Sequence, residues 1–189
     1  PGTLAHFGAV TIEGNKSVSG RVIERELAFK PGDRYQRTAI QASQRRLYGM
    51  ELFQFVNVEA LAPDERSSEV PMRVTVAEGN HHRVNMGVGY GTDEKARFEA
   101  QYHHLNFLGD ARSAGAHVRW SSLDRGVRLD VNQPYFFNPH FSLGAEGQQW
   151  YSYTPAYRST TSGGKLTLTH RASPGMSWSV SVTRERDAS

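Results

Sequence analysis

A chain of 189 residues, 38% of them hydrophobic and 22% charged, has room for one large domain or two modest ones. A mean hydropathy of -0.58, with no apolar run near the roughly 18 residues of a spanning helix, excludes a helical membrane protein but not a β-barrel, whose strands average a polar and an apolar face. The net charge of +3 comes from scattered rather than clustered arginines, so no nucleic-acid partner is expected; without cysteine, neither a disulfide framework nor a thiolate metal site can form.

Taken in chain order, residues 6–13 (HFGAVTIE) alternate in hydropathy and close on Gly14-Asn15, which predicts a first strand. Ser17 or Ser19 can cap a helix through Val22, Ile23, Glu26 and Leu27 that Pro31-Gly32 ends. A second, stronger helix is expected over 35–48, carrying Ile40, Leu47 and Tyr48, with Gly49 as its stop. Two strands follow. Residues 52–60 (LFQFVNVEA) alternate imperfectly, which allows a bulge or a doubly covered strand; residues 70–78 (VPMRVTVAE) alternate cleanly, and an exposed hairpin loop at 63–68 joins the two. The expected unit is α+β, two helices covering one face of a three-stranded sheet.

From residue 83 onward the grammar changes to a period of two, with no convincing helix. Val84, Met86, Val88 and Tyr90 alternate with Arg83, Asn85, Gly87, Gly89 and Gly91; Ala96, Phe98, Ala100 and Tyr102 alternate with Arg97, Glu99, Gln101 and His103. The pattern recurs near 113–121, 127–132, 141–146, 164–170 and 177–183, about seven strands in all. Residues 92–95, 122–125 and 172–175 read as tight turns, whereas 106–110 and the Gly/Ser/Thr stretch 157–164 read as longer loops. One greasy and one charged face suit a transmembrane barrel, with Tyr90, Tyr102, Trp120, Trp150 and Tyr151 placed as an interfacial girdle on the apolar face. A soluble β-sandwich or lipocalin-like binding module is the alternative.

Several segments carry a family resemblance. FGAVTIEGN near the start, FKPGD (29–33), RRLYGMELFQFVNV and the strand before Glu78-Gly79-Asn80 resemble a POTRA domain, the periplasmic polypeptide-transport-associated module. NMGVGYGTDEKARFEAQYHHLNFLGDA and DVNQPYFF (130–137) are similar to the opening strands of BamA/TamA-type outer-membrane assembly barrels, the bacterial surface antigen superfamily. The resemblance implies a POTRA domain at 1–79, in the order β-α-α-β-β, and an all-β antiparallel meander at 80–189, the N-terminal portion of an incomplete transmembrane β-barrel. Pro1 is not a start residue and nothing near it resembles a charged and then apolar signal peptide, so the chain is expected to be a piece of something longer, its POTRA domain the last before the barrel.

The same resemblance implies protein transport and membrane protein assembly in the cell outer membrane of a bacterium, the POTRA domain lying in the periplasm. The implied partners are unfolded outer-membrane or secreted polypeptide clients, outer-membrane lipid and accessory envelope proteins. Clients would pair with the POTRA edge strand, here Leu52, Phe53, Gln54, Phe55, Val56, Asn57 and Val58, by β-augmentation. The bland reading is that Phe53, Phe55 and Val56 pack under the helices. Gly87, Gly89 and Gly91 would make the first barrel strand a labile lateral seam, unless a neighbouring side chain sits over them. No catalytic residue, cofactor or metal is expected. GVGYGT (87–92) lacks the dinucleotide-loop spacing, no G-x-S-x-G elbow exists, and His81-His82 and His103-His104 are adjacent pairs whose members point to opposite faces. An alternative is a carrier barrel and POTRA domain for a fused secreted passenger such as a hydrolase.

Overall fold

The computed structural model describes residues 5–61, 68–153, 158–173 and 175–188. The hairpin loop expected at 63–68 lies outside them except for Ser68, as does Pro174 of the turn expected at 172–175. The chain divides into two units, residues 1–80 and 81–189.

In the first unit β1 (His6–Glu13), α1 (Gly20–Glu26), α2 (Arg37–Gly49), β2 (Phe53–Ala60) and β3 (Glu69–Glu78) follow one another. The sheet order is β1-β3-β2, with β3 parallel to β1 and antiparallel to β2. Alternation on β3 sends Met72, Val74 and Val76 to one face, where they are buried with Phe7, Ile23 and Leu47. Each such side chain contributes about 1.5–3 kcal/mol of burial, so this cluster is what holds the unit together.

The helices differ in detail from expectation. α1 stops at Glu26, before Pro31-Gly32 is reached, because Leu27 is already extended (φ -67, ψ 134). The chain leaving it is held by tertiary contacts: the Ala28 N–H donates to the buried Ser43 hydroxyl at 2.8 Å, and Phe29 stacks on Phe7 at 4.0 Å. Pro31-Gly32 instead makes a tight turn with Gly32 at φ +91, the Asp33 N–H donating to the Lys30 carbonyl at 3.0 Å. α2 begins at Arg37 rather than at 35, and Gly49 is its last residue; the left-handed position that ends it belongs to Glu51 (φ 59).

The second unit is one antiparallel meander. β4 (His82–Gly91), β5 (Lys95–His104), β6 (Ser113–Trp120), β7 (Asp124–Gln133), β8 (Phe141–Tyr153), β9 (Arg158–Ser173) and β10 (Met176–Ala188) lie side by side in chain order, leaving an unclosed seven-stranded sheet with β4 and β10 at its edges. Residues 158–164, expected as loop, are the first part of β9. Their Ser, Thr and Gly side chains show no hydropathy alternation, yet the backbone pairs with β8 on one side and β10 on the other.

Register sorts the side chains into two faces. Val88 lies opposite Phe98, Phe98 opposite Trp120, Ala100 opposite Val118, and Leu168 between Leu143 and Val180. On the other face Glu99 contacts His117 at 2.9 Å, Arg119 meets Asp124 at 3.2 Å and Arg128 meets Glu146 at 3.4 Å. Trp150 belongs to this polar face, not to the girdle where it was expected. Being adjacent to Tyr151 it must point the opposite way, and its ring lies over Gly126, where a Cβ would collide with it.

The apolar face is exposed. Val88, Phe98, Val118 and Leu129 are 85%, 38%, 41% and 56% exposed, and among the described residues every buried hydrophobic side chain belongs to the first unit. A soluble sandwich or lipocalin-like barrel buries such a face against a second layer or within its own closed interior, so that alternative fails. No helix among the described residues is long and apolar enough to cross a membrane, which says nothing about strands.

Candidate functional site

The two edges of the first sheet are treated differently by the fold. On the β1 side residues 32–35 run antiparallel alongside: the Phe7 N–H donates to the Asp33 carbonyl (2.8 Å), the Gly32 N–H to Phe7 (2.7 Å) and the Tyr35 N–H to Ala5 (2.9 Å). This edge is covered by its own chain, a device that blocks strand addition. The β2 side has no such strand beside it among the described residues.

The ladder identifies which β2 groups face outward. Asn57 pairs with Thr75 and Glu59 with Arg73, and the Leu61 N–H donates to the Pro71 carbonyl at 2.8 Å. Odd-numbered residues therefore spend their N–H and C=O on β3, and Val56, Val58 and Ala60 turn theirs to the free side. A bulge between Phe53 and Phe55 interrupts this pattern, as the imperfect alternation allowed. It puts Phe53, Val56 and Val58 into the core and turns Phe55 outward. Of the residues expected to receive clients, Leu52 precedes the strand, is buried, and accepts the Gly79 N–H at 2.8 Å; Phe53 is core, Gln54 lies in the bulge, and Asn57 serves the inner ladder. The stretch with outward backbone groups is thus 56–60.

Tyr48, expected among the apolar residues of α2, is 46% exposed. Its hydroxyl accepts from the Val56 N–H at 3.1 Å and donates to the Val56 carbonyl at 3.3 Å. Helix spacing alone gives no sign of this contact, which depends on where the end of α2 lies relative to β2.

At the end of β3, Glu78 fastens the β1–α1 connection. Its carboxylate accepts from the backbone N–H groups of Lys16 (2.6 Å), Ser17 (2.8 Å) and Val18 (2.9 Å) and from the Ser17 hydroxyl (2.5 Å). Desolvation alone would raise its pKa; the Ser17 hydroxyl and the three N–H donors outweigh it and hold the carboxyl at about 2. A folded-state pKa below the unfolded value of 4.5 means stability present above about pH 4.5 and lost as pH falls toward 2. Glu78→Gln is expected to cost about 1–2 kcal/mol at pH 7, a figure reduced for solvent screening, with the difference from the parent vanishing in acid. Denaturant unfolding of both proteins from pH 7 to pH 2 checks this.

In the second unit Gly87, Gly89 and Gly91 share the polar face of β4, opposite Glu99, Arg97 and Lys95, on a strand that among the described residues is paired on one side only. A Cβ at Gly87 or Gly91 would meet nothing within 4 Å, whereas one at Gly89 would come within 3.3 Å of the Arg97 guanidinium. Among the described residues, then, a side chain stands over Gly89, while Gly87 and Gly91 are open.

Register also brings together histidines from different pairs. His82 and His104 face each other across β4 and β5 with rings stacked at 4.3 Å, and His82 Nδ1 contacts the Tyr102 hydroxyl at 2.8 Å. Among the described residues no group of three or more His, Cys, Asp or Glu could hold a metal ion.

Residues 5–79 match the POTRA family, described as a surface antigen variable number repeat. The chain is 32% identical over 139 residues to the outer membrane protein assembly factor BamA of Nitratidesulfovibrio vulgaris, covering 74% of this chain and 17% of that protein. It superposes on the crystal structure of BamA from Haemophilus ducreyi lacking POTRA domains 1-3 with a TM-score of 0.81 at 22% identity, covering 97% of this chain and 36% of that one. CdiB from Acinetobacter baumannii gives a TM-score of 0.67 at 14% identity, covering 97% and 38%. The chain spans about a fifth of the length of the curated relatives it matches.

Proposed function

We propose that this chain is a POTRA domain followed by the N-terminal strands of a BamA-type β-barrel, with a role in polypeptide handling at the bacterial outer membrane; its similarity to the POTRA family and to BamA supports this reading. In this reading residues 1–79 stand in the periplasm, and 80–189 enter the membrane with Val84, Met86, Val88 and Tyr90 toward lipid. The observation that carries it is a seven-stranded sheet with an uncovered apolar face in the same chain as a small sheet with one open edge. Hydrocarbon solvates the first, and an extended polypeptide completes the second.

Strand addition at Val56, Val58 and Ala60 uses backbone groups alone, so it accepts clients of differing sequence. The partners this implies are unfolded outer-membrane or secreted polypeptides, outer-membrane lipid and accessory envelope proteins. No step in it requires a cofactor or a reacting side chain.

Proline tests the edge directly. Ala60 is exposed and its N–H faces away from β3, so Ala60→Pro removes no ladder bond while placing a ring where a client strand would pair. In the full-length protein reconstituted in lipid vesicles, Ala60→Pro is expected to slow insertion of an unfolded β-barrel client about tenfold without changing the POTRA melting temperature. Insertion at the parent rate, with the fold intact, would remove the β2 edge from the mechanism.

A further inference from the structure

We propose that Tyr48 is a built-in competitor for the β2 edge, its hydroxyl standing in for one residue of an incoming strand; this rests on the reading of that edge as the client-receiving surface. In an antiparallel ladder a residue that pairs through hydrogen bonds both gives an N–H and accepts one at the same partner residue. A phenol hydroxyl has one proton to donate and lone pairs to accept with, and the Tyr48 hydroxyl uses both on Val56. Because the ladder turns the Val56 N–H and C=O to the free side, these are groups that a client strand must take to pair along the whole edge.

The geometry makes the competitor displaceable. Its bonds, at 3.1 and 3.3 Å, are longer than the usual 2.9–3.0 Å of backbone ladders and 2.7–2.8 Å of hydroxyls. The ring is nearly half exposed, so it can swing into solvent without opening the core. Tyr48 occupies one outward-facing residue and leaves the others, Val58 and Ala60, to the client. An arriving chain pairs there and gains the Val56 site by expelling the hydroxyl; the hydroxyl returns as the chain leaves. The edge is thereby shielded from casual pairing with a second copy, and its grip on a bound polypeptide is weakened, which suits a surface that must pass its client on.

The test uses the full chain in detergent micelles with nitrogen-15 valine, so that the Val56 and Val58 amides are read separately, and Tyr48→Phe, which removes only the hydroxyl. The probe is a synthetic peptide of residues 177–186 (SWSVSVTRER), an alternating barrel strand. Tyr48→Phe is expected to speed hydrogen exchange at Val56 but not at Val58, and to tighten peptide binding about three- to tenfold, the worth of one net hydrogen bond. A peptide that perturbs Val56 and Val58 with equal or weaker affinity in the variant overturns the competitor while leaving strand addition in place. A peptide that perturbs neither amide in either protein overturns strand addition and the competitor with it.

Discussion

Replacing Gly87 and Gly89 together with valine is expected to stiffen the first barrel strand and suppress client insertion. Among the described residues β4 pairs with β5 alone, and in the proposed reading its other side would meet the last strand of a closed barrel in a short seam. Glycine weakens a strand by roughly 0.5–1 kcal/mol through backbone freedom alone, and a β-branched residue recovers up to about 1 kcal/mol relative to it. Two sites amount to about 1–2 kcal/mol, or a drop of about tenfold in the open seam, since 1.4 kcal/mol is a factor of ten. Space permits the change: nothing lies within 4 Å of a Cβ at Gly87, and at Gly89 the neighbour is the flexible tip of Arg97. Neither glycine has a positive φ, so valine fits the backbone. The rate of client insertion by the full-length double variant in vesicles is the measurement. A more stable barrel that inserts at the parent rate would show that seam opening does not limit the reaction.

Why alternation was readable in 83–104 and not in 158–164 follows from what each face touches. Val84, Met86 and Val88 stand against Asn85, Gly87 and Gly89 because one face is apolar and the other wet, and that contrast is written into the residue types. Thr160, Thr161 and Ser162 carry no such contrast, and only their pairing with β8 and β10 makes them strand. The same division runs through the candidate site. The bulge in β2 could be anticipated from FQFV, since two apolar positions shift parity there, and the edge could be inferred from the resemblance. Tyr48 could not, because a helix wheel counts its ring as apolar and is blind to a hydroxyl reaching another element. The covered β1 edge depends on residues 32–35 folding back along the strand. His82 and His104 are far apart in sequence until β4 and β5 pair, so looking within each adjacent pair finds nothing.

Gly14→Ala is expected to be the most damaging single methyl in the first unit. Gly14 has φ +89, and a Cβ there would run into the carbonyl oxygen of Val76 in β3. The left-handed backbone costs an alanine about 1–2 kcal/mol, and overlap with a backbone atom that cannot rotate away adds about 1–3 kcal/mol. Relief requires the β1–α1 connection to move off β3, and that connection carries Lys16, Ser17 and Val18, whose N–H groups hold Glu78. Moving it would also uncover Val18, which is buried. A loss of about 3 kcal/mol or more is therefore expected, read by denaturant dependence of the Val56 and Val58 amide signals. Gly49→Ala is the control of opposite sign: it ends α2 with open space around its Cβ position, so alanine should leave stability unchanged or raise it by up to about 1 kcal/mol. If the two substitutions shift unfolding equally, the contact with Val76 is not what ties the connection to the sheet, and the carboxylate clasp at Glu78 must hold it alone.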